Sequence, residues 1–366
     1  MLIEARRLKE FLLDSGILKI ALSSGCASGN NSRLATLVPQ LPSGLQSWIK
    51  FLFFSSKIPR QLLNEVIPGI VLDKLIFDGI IDLNEDKTCS LGNLTLRILN
   101  GYIFLAENTS SPEVYFGEDS VALFYYNLYT PGKIGLDLCS GSGIQAITMS
   151  GSFDRVIAVE INRRACSVAK MNVALNGLTH KIEVVNNDNT DFLQQSELKF
   201  SHICFNPPLL PGCSQYHLPF VADGGVSGME ITNKIVSEAL PRLALNGSIE
   251  FIGVVLSSLD EINWGETLSE LIAKKNSNFN LQATLTSVHP LARGETFFDS
   301  LVLTSVLNTG SNYEQIATAY ESHFRKLEAK SAFFFSFRIV NSTKYPSFVA
   351  DLSIKERGRN SFWIAT

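Results

Sequence analysis

Three groups of residues carry the chemistry open to this sequence. The first is Asn206-Pro207-Pro208-Leu209, directly after an apolar run. Asparagine offers one acceptor and two amide donors without a charge. It can hold an amino or amide nitrogen with its lone pair aimed at an electrophile. The two prolines stop the preceding strand and stiffen its exit, which commits Asn206 to one direction. The second group is the turn from Leu136 to Ala146, Leu-Asp-Leu-Cys-Ser-Gly-Ser-Gly-Ile-Gln-Ala. Gly141 and Gly143 let the backbone turn tightly and approach a ligand, and Ile144 to Met149 open a helix whose free N–H groups face it. The third is Glu160, closing the next apolar run, where a carboxylate can accept hydrogen bonds from both hydroxyls of a ribose.

The turn is not a dinucleotide fingerprint, because the third glycine of that motif is Ala146 here. An acid at the strand end, Asp137, would repel a pyrophosphate but suits a cationic ligand. S-adenosylmethionine (SAM) has a sulfonium, an ammonium and no phosphate. The turn resembles motif I of the SAM-dependent methyltransferases, with Cys139 where glycine is usual. Asn206-Pro207-Pro208 resembles the Asp/Asn-Pro-Pro-aromatic motif of the methyltransferases that modify planar nitrogens, including amino-adenine, amino-guanine and protein glutamine-N5 enzymes. Val114-Tyr115-Phe116-Gly117-Glu118-Asp119-Ser120 resembles the entry segment of the glutamine-type enzymes. Ala222-Asp223-Gly224-Gly225-Val226-Ser227-Gly228-Met229-Glu230 resembles their Gly-Gly-x-x-Gly-x-Glu loop. Most of the chain is also similar to two-domain bacterial methyltransferases with a winged-helix-like N-terminal region.

This resemblance implies an α/β fold: a seven-stranded, Rossmann-like methyltransferase sheet, mostly parallel with one antiparallel strand. It implies SAM as the cofactor, held by Asp137, Cys139, Ser140, Gly141, Gly143, Glu160, Asn162, Asp188 and Asn206. Asn206 and the Pro207 carbonyl would hold the attacking nitrogen, with Tyr126 as a further catalytic residue and Phe116, Tyr125 and Leu209 against the substrate. The residue after the prolines departs from the family, since Leu209 offers no π-face to stack on a planar substrate. The acceptor is therefore expected to be a small or non-planar molecule. Two other readings use the same residues. In one, the amino group of SAM attacks its own γ-carbon and gives azetidine-2-carboxylate and methylthioadenosine. In the other, the chain is a non-catalytic SAM- or DNA-binding regulator.

The elements that must position these residues follow from pattern. Apolar runs predict strands at Ile134–Leu138, Arg155–Val159, Ile182–Val185, Ser201–Phe205, Ser248–Val254, Leu281–Val288 and Phe333–Val340. Helices are predicted at Arg163–Leu175, Glu230–Leu240 and Tyr313–Ala329, and alternation of the two types implies a mostly parallel sheet. Residues 1–106 read as a mainly helical, winged-helix-like lid domain ending in a hairpin, with one long helical pattern from Gln61 to Leu83. Residues 107–345 read as the catalytic domain and 346–366 as a tail. A hydrophobic content of 45% with 18% charged residues describes a well-buried globular chain. A net charge of −4 argues against a general duplex-binding surface. The six cysteines (Cys26, Cys89, Cys139, Cys166, Cys204 and Cys213) include no C-x-x-C pair. With no leader-like start they are expected as reduced thiols in a cytoplasmic protein. Scattered histidines predict no metal site, and no apolar run reaches membrane-spanning length. His202 and Cys204 are read as core residues.

Overall fold

The computed structural model describes residues 6–25, 31–258, 278–344 and 346–352, together with Leu268, Glu270, Ile272 and Trp363. Cys26 and most of the expected tail lie outside the described residues.

The N-terminal region starts with four helices, α1 (Arg6–Asp14), α2 (Ile17–Ser23), α3 (Ser32–Leu37) and α4 (Ser43–Phe54). A short strand β1 (Ile58–Pro59), helices α5 (Arg60–Asn64) and α6 (Gly69–Phe77), and strands β2 (Asp82–Leu83) and β3 (Thr88–Ser90) follow. The three strands pair antiparallel in the order β1-β3-β2. The single helix expected over Gln61–Leu83 is thus broken. Pro68 starts a new helix as the cap of α6 and cannot continue the one before it. The hairpin β4 (Leu94–Leu99) and β5 (Tyr102–Glu107) turns through Asn100 and Gly101, both at positive φ (48° and 77°), the pairing that a tight two-residue hairpin demands.

The main sheet holds β6 (Gly132–Leu138), β7 (Phe153–Glu160), β8 (Ile182–Asn186), β9 (Phe200–Phe205), β10 (Leu243–Ser257), β11 (Phe279–Pro290), β12 (Ser331–Asn341) and β13 (Phe348–Asp351). Their order is β13-β11-β12-β10-β9-β6-β7-β8. β12 inserts antiparallel between β10 and β11, and every other pairing is parallel. A stack of aromatic rings fixes that insertion. Phe205, Phe251 and Phe337 are register partners on neighbouring strands, with ring centroids 4.8 and 5.0 Å apart. The sheet has eight strands among the described residues rather than seven. The extra one, β13, is a four-residue edge strand with no buried face, so its sequence carried no strand signal.

Between the strands run α7 (Glu118–Tyr126), α8 (Ile144–Met149), α9 (Arg163–Leu175), α10 (Asn189–Gln195), α11 (Glu230–Ala239) and the helices Thr296–Thr309 and Tyr313–Lys326. Helix α9 also faces the N-terminal region. Its Ala165, Val168, Met171 and Leu175 share one buried core with Leu8, Leu12, Trp48 and Ile98. Asn172 accepts from Leu105 N at 2.7 Å and donates to Leu105 O at 3.0 Å. One turn on, Asn176 accepts from Ile103 N at 3.1 Å and donates to Ile103 O at 2.7 Å. The expected boundary after residue 106 is therefore a continuous packed interface. The region packs on the back of α9, and among the described residues none before Glu113 lines either cavity described below.

Candidate active site

The turn after β6 is built from left-handed backbone. Cys139 has φ +52°, Gly141 +50° and Gly143 +79°, with Gly143 as the cap of α8. The first value explains the glycine usual at the Cys139 position, because a side chain there is strained. Asn189 holds the strained residue on both sides, accepting from Cys139 N at 3.2 Å and donating to its Sγ at 3.1 Å. Burial pushes the Cys139 thiol up, with the neighbouring acids adding to it, so it is an inert wall rather than a nucleophile.

Each acid around this turn is tied to backbone. Asp137 is 1% exposed and accepts from Ala146 N at 2.9 Å, joining the strand to the first turn of α8. Burial pushes its carboxyl well up. Glu160 accepts from Gly141 N and from Asn162 N, both at 2.8 Å, one on each oxygen. Burial raises its carboxyl against the pull of those bonds. Asn162 caps α9, accepting from Arg164 N and Ala165 N. Asp188 caps α10 in the same way through Thr190 N and Asp191 N. Burial pushes the Asp188 carboxyl up, but the bonds from Thr190 and Asp191 outweigh it and hold it below its usual range.

These groups surround a cavity of about 320 Å³ at the carboxyl ends of β6, β7 and β9, the position where open α/β sheets bind ligands. Asp137, Cys139, Ser140, Gly141, Glu160, Asn162, Asp188 and Asn206 all line it, with Ile161, Ile231 and Ile235 supplying apolar wall. The buried Ser140 hydroxyl has no hydrogen-bond partner.

At the far side stands Asn206. Its Nδ2 donates to Ser120 Oγ at 3.1 Å, with the Asp119 carboxylate beside it. Its buried Oδ1 has no partner among the described residues, so one acceptor is held ready where a buried polar atom would ordinarily be satisfied. Burial raises the Asp119 carboxyl above its usual range, against the pull of the neighbouring Asn206 amide and Tyr115 hydroxyl. The loop that follows Asn206 is clamped by the glycine segment after it. Leu210 N donates to Ala222 O and Gly224 N to Leu210 O, both at 2.9 Å. A Cβ on Gly224 would lie 2.8 Å from Leu209 Cα and 2.6 Å from Gly228 O, so only glycine lets the two backbones approach this closely.

A second cavity of about 200 Å³ adjoins the first, and Leu209 and Pro207 line it. Four residues expected at the site line neither cavity, and one of them, Gly143, serves instead as the cap of α8. Tyr126 points its hydroxyl at the Trp363 carbonyl and lines neither cavity, because it lies two helical turns, roughly 10 Å, beyond Asp119 on α7. Tyr125 faces solvent at 62% exposure. Phe116 packs on Phe104 with centroids 5.4 Å apart and lines neither cavity. Among the described residues, the aromatic residues that line the first cavity are Phe220 and Tyr115. With Asp119 and Ser120, Tyr115 belongs to the entry segment already singled out. Asn189 was missed altogether.

Among the described residues, no group of three or more His, Cys, Asp and Glu is arranged to hold a metal ion, and no helix is long and apolar enough to cross a membrane. A family model described as RNA cap guanine-N2 methyltransferase matches residues 132–217. A protein of Methanocaldococcus jannaschii, provisionally named a protein N5-glutamine methyltransferase, is 30% identical over 154 residues, 40% of this chain and 74% of that protein. The ribosomal protein uL3 glutamine methyltransferase of Bradyrhizobium diazoefficiens is 30% identical over 145 residues, 37% of this chain and 45% of that protein. The chain thus spans less than half the length of the second relative. The crystal structure of the M. jannaschii tRNA m1G37 methyltransferase aligns at a TM-score of 0.40 and 15% identity, covering 69% of this chain and 58% of that one.

Proposed function

Because the chain belongs to the SAM-dependent methyltransferase family that includes the protein N5-glutamine methyltransferases, we propose that it methylates a nitrogen held by Asn206. SAM is its cofactor, and the residues present suit that molecule. Glu160 offers carboxylate oxygens for ribose hydroxyls, Ile161, Ile231 and Ile235 offer apolar surface for an adenine, and Asp119 and Asp137 are acids beside the place for a cation. When bound, SAM supplies a methyl group already activated by its sulfonium. What remains for the chain is alignment and exclusion of water. Asn206 accepts an N–H of the acceptor through Oδ1, and Ser120 and Asp119 hold its amide so that the acceptor oxygen faces the cavity. Pro207 and Pro208 keep the loop from relaxing.

The observation that carries this reading is the buried, unpartnered Oδ1 of Asn206 on the wall of the cofactor cavity. Relatives act on glutamine nitrogens, which supports nitrogen as the acceptor atom. Leu209, in place of an aromatic ring, supports an acceptor other than a nucleobase. The order β1-β3-β2 beside α5 and α6 supports a winged-helix-like N-terminal region that packs rather than reads DNA. The cytoplasm is the compartment this reading takes, with the cysteines as reduced thiols.

The test is to incubate the protein with methyl-labelled SAM, first alone and then with candidate acceptors. Label in an N-methyl product and formation of S-adenosylhomocysteine support the reading. Methylthioadenosine and a cyclic amino acid from SAM alone would replace it with intramolecular attack.

A further inference from the structure

The second cavity shares Tyr115, Asp119, Pro207 and Val221 with the cofactor cavity, so the two meet beside Asn206. Most of its wall is apolar: Leu209, Leu210, Phe297, Leu301, Phe334 and Trp363. Ser300 and Thr304 also face it, but their hydroxyls already donate to Thr296 O and Ser300 O, both at 2.7 Å. Trp363 closes one side. Its ring meets Phe334 edge-on with centroids 4.8 Å apart, and Tyr126 anchors its carbonyl. The polar lining groups Tyr115, Glu118 and Asp119 come from one segment, at the end shared with the first cavity. Among the described residues, its charged lining residues are the acids Glu118 and Asp119, with no Lys or Arg. An occupant must therefore bring an apolar body and a donor-rich or cationic head. A carboxylate or phosphate would find no partner.

We propose that the acceptor is an amine with a compact apolar body seated in this second cavity, and that Asp119 takes the proton from its nitrogen. This rests on the methyl-transfer reading and narrows it. The size fits, since a cavity of roughly 150 Å³ holds one benzene ring and this one is about 200 Å³. The ammonium gives one proton to the Asp119 carboxylate, leaving a neutral amine and a carboxylic acid. A second N–H donates to Asn206 Oδ1, which fixes the direction of the lone pair. That lone pair forms the new N–C bond to the methyl carbon as the C–S bond breaks, its electrons passing to sulfur. The product leaves as a methylated ammonium, and Asp119 returns its proton to solvent. Burial that raises the Asp119 carboxyl also lowers a neighbouring ammonium, so the proton moves between groups brought closer in affinity.

Three probes test this with the full chain: 2-phenylethylamine, 2-phenylethanol with the same body and no amine, and N-acetylglutamine methylamide. Calorimetric titration into protein saturated with S-adenosylhomocysteine should show the amine binding about 10-fold more tightly than the alcohol, the difference expected for bonds to a charged group. Labelled SAM should give N-methyl product from the amine. At saturating SAM, Asp119→Asn should lower that turnover by about 10²-fold, as loss of a positioned base does. Equal binding of amine and alcohol, or full activity of Asp119→Asn, would overturn the proposal. Methylation of the glutamine probe with both amine and alcohol ignored would overturn it and leave nitrogen methylation standing. Methylthioadenosine from SAM alone would remove both.

Discussion

The two cavities meet at one asparagine but are made in opposite ways. The cofactor cavity is built from backbone. Its turn, caps and carboxylates come from Asp137–Gln145, Glu160–Asn162 and Asp188–Thr190, each at the carboxyl end of a parallel strand, and nearly every polar group is bonded to a nearby N–H. The second cavity is built from side chains that are far apart in sequence: Tyr115 and Asp119 before the sheet, Leu209 after β9, Phe297 and Leu301 on the helix Thr296–Thr309, Phe334 on β12, and Trp363. A site made of main-chain geometry can hold one ligand across a whole family. A site made of side-chain surface can change acceptor without disturbing it.

The sharpest way to break this comparison is Asn206→Ala. Turnover should fall by about 10²-fold or more, while SAM affinity stays nearly intact, because a positioned polar group acts mainly in the transition state. Isothermal titration and steady-state rates on one preparation decide it. A matched loss in both would move Asn206 into the cofactor half. Glu160→Ala should do the reverse and weaken SAM binding by about 1–3 kcal/mol through lost charged hydrogen bonds. Unchanged affinity by titration would remove Glu160 from the cofactor half.

The strand shared by both halves should respond to acid. His202, on β9 and four residues before Asn206, bonds Ser248 Oγ at 3.0 Å, and burial with the Arg338 charge lowers its imidazole to about 3. The unfolded chain takes up a proton on this ring below about 6.5, and the folded chain does not until about 3. The unfolded state binds more protons across that window, so stability falls as pH drops through it, by about 1.4 kcal/mol per unit at most. Asp137 and Glu160, with raised carboxyls, act in the opposite sense. The measure is therefore the difference between wild type and His202→Phe in denaturant midpoints at pH 7 and pH 5. The variant should lose less stability, and parallel curves would show that His202 is charged in the fold.

The smallest effect is expected at Cys139→Gly. Relief of the +52° backbone angle should outweigh the lost contact to Asn189 and stabilise the fold by up to about 1 kcal/mol, with SAM affinity unchanged. A lower melting temperature would show that the contact between Asn189 and the thiol matters more than the strain.

The same contrast explains what was legible in the sequence. Buried parallel strands are continuous apolar runs, so β6 to β10 could be read along with Glu160 and Asn206 at their ends, whereas the antiparallel insertion of β12 followed only from the resemblance to the methyltransferase sheet. α9 was legible to the residue because Asn162 caps it and its buried face repeats every turn. The helix Thr296–Thr309 was not, since exposed Leu303 and Leu307 fill its outer face and blur the period that marks an amphipathic helix. Tyr126 was misplaced because aromatic content says nothing of height along a helix axis. Trp363 reaches its cavity from the far end of the chain, and no local pattern records such a contact.

The two asparagines of α9 also settle how the β4–β5 hairpin meets other chains. A bare strand edge is a template for any passing strand, and proteins blunt such edges with charge, bulges or a covering element. A carboxamide carries the same donor and acceptor as a peptide unit. Asn172 and Asn176 therefore present β5 with two detached pieces of a neighbouring strand, closing the donors and acceptors of Ile103 and Leu105. The edge is satisfied by a helix, whose spacing allows no further strand to add, so this side of the hairpin is closed to strand exchange and aggregation.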